Sequence, residues 1–259
     1  MRRNLHGLCL ALSLCTLIGP PPPGTRPQAP DVAALAVAEA AWERVVKRHV
    51  YADGRVDFDA IAERRADLDT FVGFVWQASP ESHPTLWPTR ERALGFWIDA
   101  YNALTMYSVI ASGIPHDLGS LIKRFRFFVQ QLVTVGGREM SLRALENEII
   151  RPLGEPRVHF ALNCMARSCP RLPQTPFAGA DVEAKLEREA RRFLSEPRNL
   201  AIDHAANTAT LSAIFEFFPE DFVASGGVRV FVNRYVEPII PPDYELRYRE
   251  YDWTINRRH

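Results

Sequence analysis

Between Arg90 and Ser112 the chain reads RERALGFWIDAYNALTMYSVIAS, apolar nearly all the way round for two central turns, and Gly113-Ile114-Pro115 then stops it. A helix without a polar face cannot lie on a surface, so the rest of the chain must be wrapped around it. With 47% hydrophobic residues in 259, there is enough apolar material to do so. Tyr101 and Asn102 fall inside this helix. An unsatisfied buried amide costs roughly 1–3 kcal/mol, so Asn102 needs partners, supplied either by the region of His159 and Cys164 or by helix packing alone.

The flanking pattern is helical first and mixed later. Val32 to Val50 is Ala-rich with apolar positions three and four apart, which predicts an amphipathic helix, and Arg64 to Gln77 predicts another. Beyond the central helix, Phe127 to Val135, Gly136-Gly137 and Arg138 to Met140 predict a β-hairpin, because Gly-Gly supplies the positive φ angles of a two-residue turn. Ser141 is expected to cap a helix running to about Ile150. Arg157 to Asn163 alternates and predicts a strand, Asp181 to Leu194 a charged helix, Ala201 to Leu211 a second hairpin, and Glu245 to Trp253 a last strand. The expected class is α+β: N-terminal helices with a mostly antiparallel sheet, in a single domain over 28–259.

Residues 1–27 read differently. Arg2 and Arg3, an apolar run of about 15 residues, and Pro20 to Pro23 have the layout of a secretory signal followed by a Pro-rich linker. A bilayer-spanning helix needs roughly 20 apolar residues, so no membrane span is expected after signal removal, although retention as an uncleaved anchor is an alternative. Export to a periplasmic or extracellular compartment is the expectation. Removal of the segment takes three of the 31 basic residues and none of the 31 acidic ones, which leaves no basic surplus for nucleic acid. It also removes Cys9 and Cys15, leaving Cys164 and Cys169.

Those two cysteines sit in the densest reactive stretch, RVHFALNCMARSCP. Four readings compete. A Cys can be a nucleophile with His159 as base, because a thiol needs a neighbouring imidazole to become a thiolate near neutral pH. Five extended residues span about 16 Å, so the loop after His159 must fold back for that pairing. Alternatively, Cys164 and Cys169 form a disulfide worth roughly 2 kcal/mol, the usual fate of an exported pair. The pair can also cycle as a redox centre, or join His159 and a fourth ligand such as His116 or Glu146 around a metal. No recognised zinc spacing is present, so neither metal nor cofactor is expected. Glu146 is either a surface acid or the group that orients His159 through its second ring proton.

The motifs FWIDAYNALTMYSVI, GIPHDLGSL, SLRALENEIIRP, PRVHFALNCMARSCPRLP, LSAIFEFFPEDF and YDWTIN follow one another in an order that resembles the family known as domain of unknown function 547, over roughly residues 90–253. The resemblance implies a distant kinship with papain-like and transglutaminase-like cysteine enzymes, and a polar motif at Asn102, Glu146, His159, Cys164 and Cys169. Two positions depart from it. Asp99 stands where the family usually has Asn, and the central helix lacks the Cys that a papain-like arrangement places there.

Two functions therefore stand level, one enzymatic and one not. The first is a cysteine-dependent hydrolase or acyl/amide transferase with Cys164 as nucleophile, His159 as base, Glu146 as its orienter, and Asn102 as a hydrogen-bonding partner. The second is an envelope binding module for a peptide, glycan or small-molecule ligand, stapled by Cys164 and Cys169, with thiol-disulfide exchange between the two.

Overall fold

The computed structural model describes residues 30–179 and 181–258, and the expected signal and linker over 1–27 lie outside the described residues. Helix α1 (Val32–His49) starts where the Asp31 carboxylate accepts from the Ala34 amide at 2.7 Å. It packs with α2 (Phe58–Glu63) and α3 (Ala66–Gln77) around α4 (Arg90–Ala111), which is buried along almost its whole length. Thr89 caps α4 by accepting from the Arg92 amide at 3.2 Å, and the helix ends two residues before Gly113, at φ +75°. Gly95 is required on α4. A Cβ there would come within 2.8 Å of the Phe177 carbonyl oxygen and of Val182 Cγ2.

After α4, Ser120 caps the short helix α5 (Leu121–Phe125), which continues as a π-helical turn over Arg126–Gln130. The hairpin follows as β1 (Leu132–Val135) and β2 (Arg138–Ser141), paired antiparallel around Gly136 at φ +57° and Gly137 at +82°. Its first strand is shorter than the sequence predicts, because Phe127 turns into the helical core and Phe128 packs edge-on against Trp253. Ser141 caps α6 (Leu142–Ala144), which runs on as a π-helical segment over Leu145–Ile150.

The expected strand over Arg157 to Asn163 is instead a 3₁₀ turn, Pro156–Phe160. Pro156 sets φ at its first position, and Glu155 accepts from the Arg157 amide at 3.0 Å, so the chain closes into i+3 bonds. The consequence is tertiary: Val158 enters one core and Phe160 the other.

That second core is built around Phe160, Phe193, Phe215, Phe222 and Phe231. It is enclosed by α7 (Val182–Ser195), α8 (Ile214–Phe217), a 3₁₀ segment over Pro219–Ser225, α9 (Val228–Val232) and a three-stranded sheet. In the sheet β3 (Leu200–Asp203) pairs antiparallel with β4 (Thr208–Leu211), and β5 (Glu245–Tyr248) lies parallel to β4. The predicted last strand ends at Tyr248. The remaining tail crosses back through single bridges to Asp117, Ala166 and Val56, and so ties both cores together. The α+β class is thus observed, with helices first and small, largely antiparallel sheets after them. Among the described residues, no helix is long and apolar enough to cross a membrane.

Candidate functional site

A pocket of about 760 Å³ opens at the seam of the two cores, and Tyr101, Glu146, His159, Cys164, Cys169 and Tyr251 all line it. Of the residues expected to form a site, only Asn102 lies behind the wall rather than in it. Asn102 is fully buried on α4; its amide donates to the Ala161 carbonyl at 3.0 Å and its oxygen accepts from the Asn163 amide at 2.8 Å. Fully buried and bonded at both ends, it fixes the backbone between His159 and Cys164 and does not reach the pocket.

The loop that follows folds back on itself. Asn163 donates to the Pro170 carbonyl at 2.7 Å and accepts from the Met165 amide at 2.7 Å, which holds Met165 at φ +64°. Cys169 N–H donates to the Ala166 carbonyl. These bonds bring together two cysteines five residues apart: the Cys164 amide donates to Cys169 Sγ at 3.1 Å, and the Tyr251 hydroxyl lies 3.3 Å from Cys164 Sγ and 3.1 Å from Cys169 Sγ.

The expected Cys164–Cys169 disulfide is not formed; both are free thiols. As thiols, the two sulfurs share the Tyr251 hydroxyl, and Cys169 also accepts from the Cys164 amide. The two thiols are not equivalent. Cys164 is pushed well above the ordinary thiol value by its contact with Cys169 and by burial. Burial also works to raise Cys169, but donors converge on its sulfur from Cys164, Tyr251 and the backbone, and together they lower it. Negative charge on this pair therefore belongs on Cys169, while Cys164 is the more exposed. Tyr251 itself is raised far above its usual value by burial and by the two sulfurs, so it stays protonated as a donor.

His159 is buried and stacks on Phe218, ring centroids 4.4 Å apart. The partner that orients it is not Glu146. His159 Nε2–H donates to Asp221 Oδ2 at 2.6 Å, and Arg151 holds the same carboxylate through Nε at 2.7 Å. Burial works to raise the Asp221 carboxyl, but the His159 and Arg151 bonds outweigh it and keep the group well below the ordinary carboxylate range. A carboxylate on Nε2 leaves Nδ1 with the lone pair that a proton acceptor needs. Glu146 serves a different group: it accepts from the Tyr101 hydroxyl at 3.1 Å. Burial raises its carboxyl above the usual value, against the pull of His159, Tyr101 and Arg151. Tyr101 is pushed far upward by burial and by Glu146 and the cysteines, and so remains a donor as well.

The metal reading does not fit this geometry. His159 Nε2 is taken by Asp221, and His116 is an exposed residue beside Asp117. Among the described residues no group of three or more His, Cys, Asp or Glu side chains is placed to hold an ion.

Sequence reasoning missed Asp221 and Tyr251 as site residues. Both stood inside motifs already marked by the resemblance, PEDF and YDW, where an acid or hydroxyl directly beside an aromatic run was the available signal. It missed Arg151 too, which lies at the end of the π-helical segment that carries Glu146.

No curated protein and no solved structure gives a significant match to the chain. Residues 85–194, from the approach to α4 through nearly all of α7 and including Asn102, Glu146, His159 and both thiols, match the model of the family described as "Protein of unknown function, DUF547".

Proposed function

We propose that the protein is an exported cysteine-dependent acyl-transfer enzyme, a hydrolase or acyl/amide transferase, whose thiolate is carried by Cys169. The observation that carries this reading is a sulfur held by an amide and a tyrosine hydroxyl in the same pocket as a histidine held by a carboxylate. Nδ1 of His159 takes the thiol proton, and the sulfur attacks the substrate's carbonyl carbon. A C–S bond forms as the carbonyl π pair moves to oxygen, where the Tyr251 hydroxyl is the donor on hand. Collapse of this species breaks the bond to the leaving group, which departs with the proton from His159 and leaves a thioester. Water or an acceptor amine, deprotonated by the same nitrogen, then attacks the thioester and releases Cys169.

Cys164 has a supporting part in this scheme, as the neutral thiol and amide that steady Cys169. Glu146 and Tyr101 form a second proton-bearing pair on the pocket wall. Asn102 and Asp221 are positioning residues, the first for the backbone and the second for the imidazole. The basic, apolar and Pro-rich segments of residues 1–27 support export, which cell fractionation and N-terminal sequencing of the recovered protein test directly.

The chemical step is tested by incubating the protein with an activated aryl ester, quenching in acid and locating the acyl group by mass spectrometry. The expected result is a hydroxylamine-labile adduct on Cys169 that survives in Cys164→Ser and disappears in Cys169→Ser. An adduct confined to Cys164 would move the nucleophile; acylation of neither cysteine by a folded protein with reduced thiols would overturn the proposal.

A further inference from the structure

The helix at the mouth of the pocket is left uncovered by the rest of the protein. None of the residues of α5 is buried, and Leu121, Ile122 and Phe125 are 77%, 67% and 52% exposed. Leu121, Phe125 and Phe128 are spaced four and three residues apart, which places them on one face of the continuous α5 and π-helical segment, and all three line the pocket. The apolar lining therefore runs without a break from the pocket interior onto the outer surface. A second rim residue, Phe217, is exposed as well. Contiguous apolar surface of this kind marks a contact face rather than a scattered exposure.

Arginines flank it. Arg124 donates to the carbonyls of Leu118 and Gly119 and stacks over Trp253, so none of these contacts neutralises it. Among the described residues, Arg126 and Arg143 make no ion pair. Two of the nearby acids are matched, Asp117 by Lys123 and Glu220 by Arg151, and Glu146 in the pocket wall is held by Tyr101. The mouth is thus an apolar face flanked by three uncompensated guanidinium groups, the pattern that holds a helix in the plane of an acidic lipid surface.

We propose that this face docks the protein onto an anionic lipid bilayer, with α5 lying in the headgroup layer and the pocket opening toward the acyl chains. The docking needs neither thiol. Its corollary, that the acyl donor is a membrane amphiphile whose chain enters the apolar pocket, rests on the thiol chemistry proposed above.

The test is co-sedimentation of the full chain with vesicles of phosphatidylglycerol mixed with phosphatidylcholine, and with vesicles of phosphatidylcholine alone. Binding is expected to the anionic vesicles, to weaken at 0.5 M salt, and to fall at least tenfold in Leu121→Asp/Ile122→Asp. Arg126→Glu and Arg143→Glu are each expected to lose roughly fivefold on anionic vesicles. These residues are at the surface, and circular dichroism confirms folding of each variant. Binding that is indifferent to Leu121 and Ile122, which would place it in the apolar N-terminal segment, overturns the proposal, as does absence of binding. Cys169→Ser separates the two readings. If it binds vesicles normally while the unsubstituted chain forms no acyl adduct, the surface stands and the chemistry falls; an adduct on a chain whose binding ignores Leu121 gives the converse.

Discussion

The two cores of this protein are assembled from different material and in different ways. The first is a nest of helices in which Trp42 stacks on Phe71 and Asp99 of α4 accepts from Trp42 Nε1 at 3.0 Å and from the Phe177 and Ala178 amides at 2.9 and 2.7 Å. The second is a cluster of phenylalanines, with Phe160 in contact with Phe193, Phe215, Phe222 and Phe231. The Asp99 carboxylate buried in the first is closed off, both of its oxygens answered by protein donors. At the edge of the second, His159 and Tyr251 line a pocket, with Asp221 bonded to the imidazole. The contrast teaches that this fold keeps its polar stitching in one core and its chemistry at the seam.

The hardest way to break that contrast is to empty each core in turn. Phe160→Ala and Trp42→Ala are each expected to cost about 3–5 kcal/mol in urea unfolding, since both remove a fully buried ring from close packing. If the cores form one cooperative unit through the C-terminal tail, both variants will shift a single transition. Two separated transitions in Phe160→Ala would show that the cores unfold independently and that the tail bridges carry little.

A sharper probe acts on the seam alone. Asp221→Asn keeps the shape but removes the charge that His159 and Arg151 share, and it frees the imidazole to adopt the other tautomer. Acylation of Cys169 by the aryl ester is expected to slow by about a hundredfold. Because the Asp221 carboxyl is held well below the ordinary range, the parent's rate profile should show no carboxylate ionisation from this group between pH 5 and 8. An unchanged rate in the variant would detach Asp221 from the chemistry.

The smallest effects probe the closed polar groups of the first core. Asp99→Ala strands one indole and two backbone donors and is expected to cost about 1–3 kcal/mol, with Asp99→Asn costing less because its amide oxygen can still accept. Burial pushes the Asp99 carboxyl from 3.8 up to about 6, against the pull of its three donors. A folded value above the unfolded one gives a contribution that is full below about pH 4 and is lost as pH rises through about 6. The stability of Asp99→Asn relative to the parent should therefore improve from pH 4 to pH 7. A flat difference across that range would mean that Asp99 titrates normally in the folded protein.

The same division separates what could be read in advance from what could not. The apolar run of α4, the Gly136-Gly137 turn and the Ser141 cap are local statements, settled by residues adjacent in the chain, and each is found where the sequence places it. His159 and Cys164 of the HFALNC stretch line one pocket. The partners of those groups were not legible. Glu146 read as either a surface acid or the orienter of His159, yet Asp221 holds the imidazole from 62 residues away and Glu146 turns to Tyr101.

The sequence by itself determined the helical first half, the turns and the class of fold, because helix periodicity, caps and positive φ angles are set within a few residues. Only the tertiary structure decided that Arg157 to Asn163 curls instead of extending, that two thiols share one tyrosine hydroxyl, and that an aspartate from the second core completes the histidine. Alternation of Val158 and Phe160 reads as one buried face when one core is assumed. With two cores, one on either side, a 3₁₀ turn buries both side chains, and burial on opposite sides is information that no local window of sequence contains.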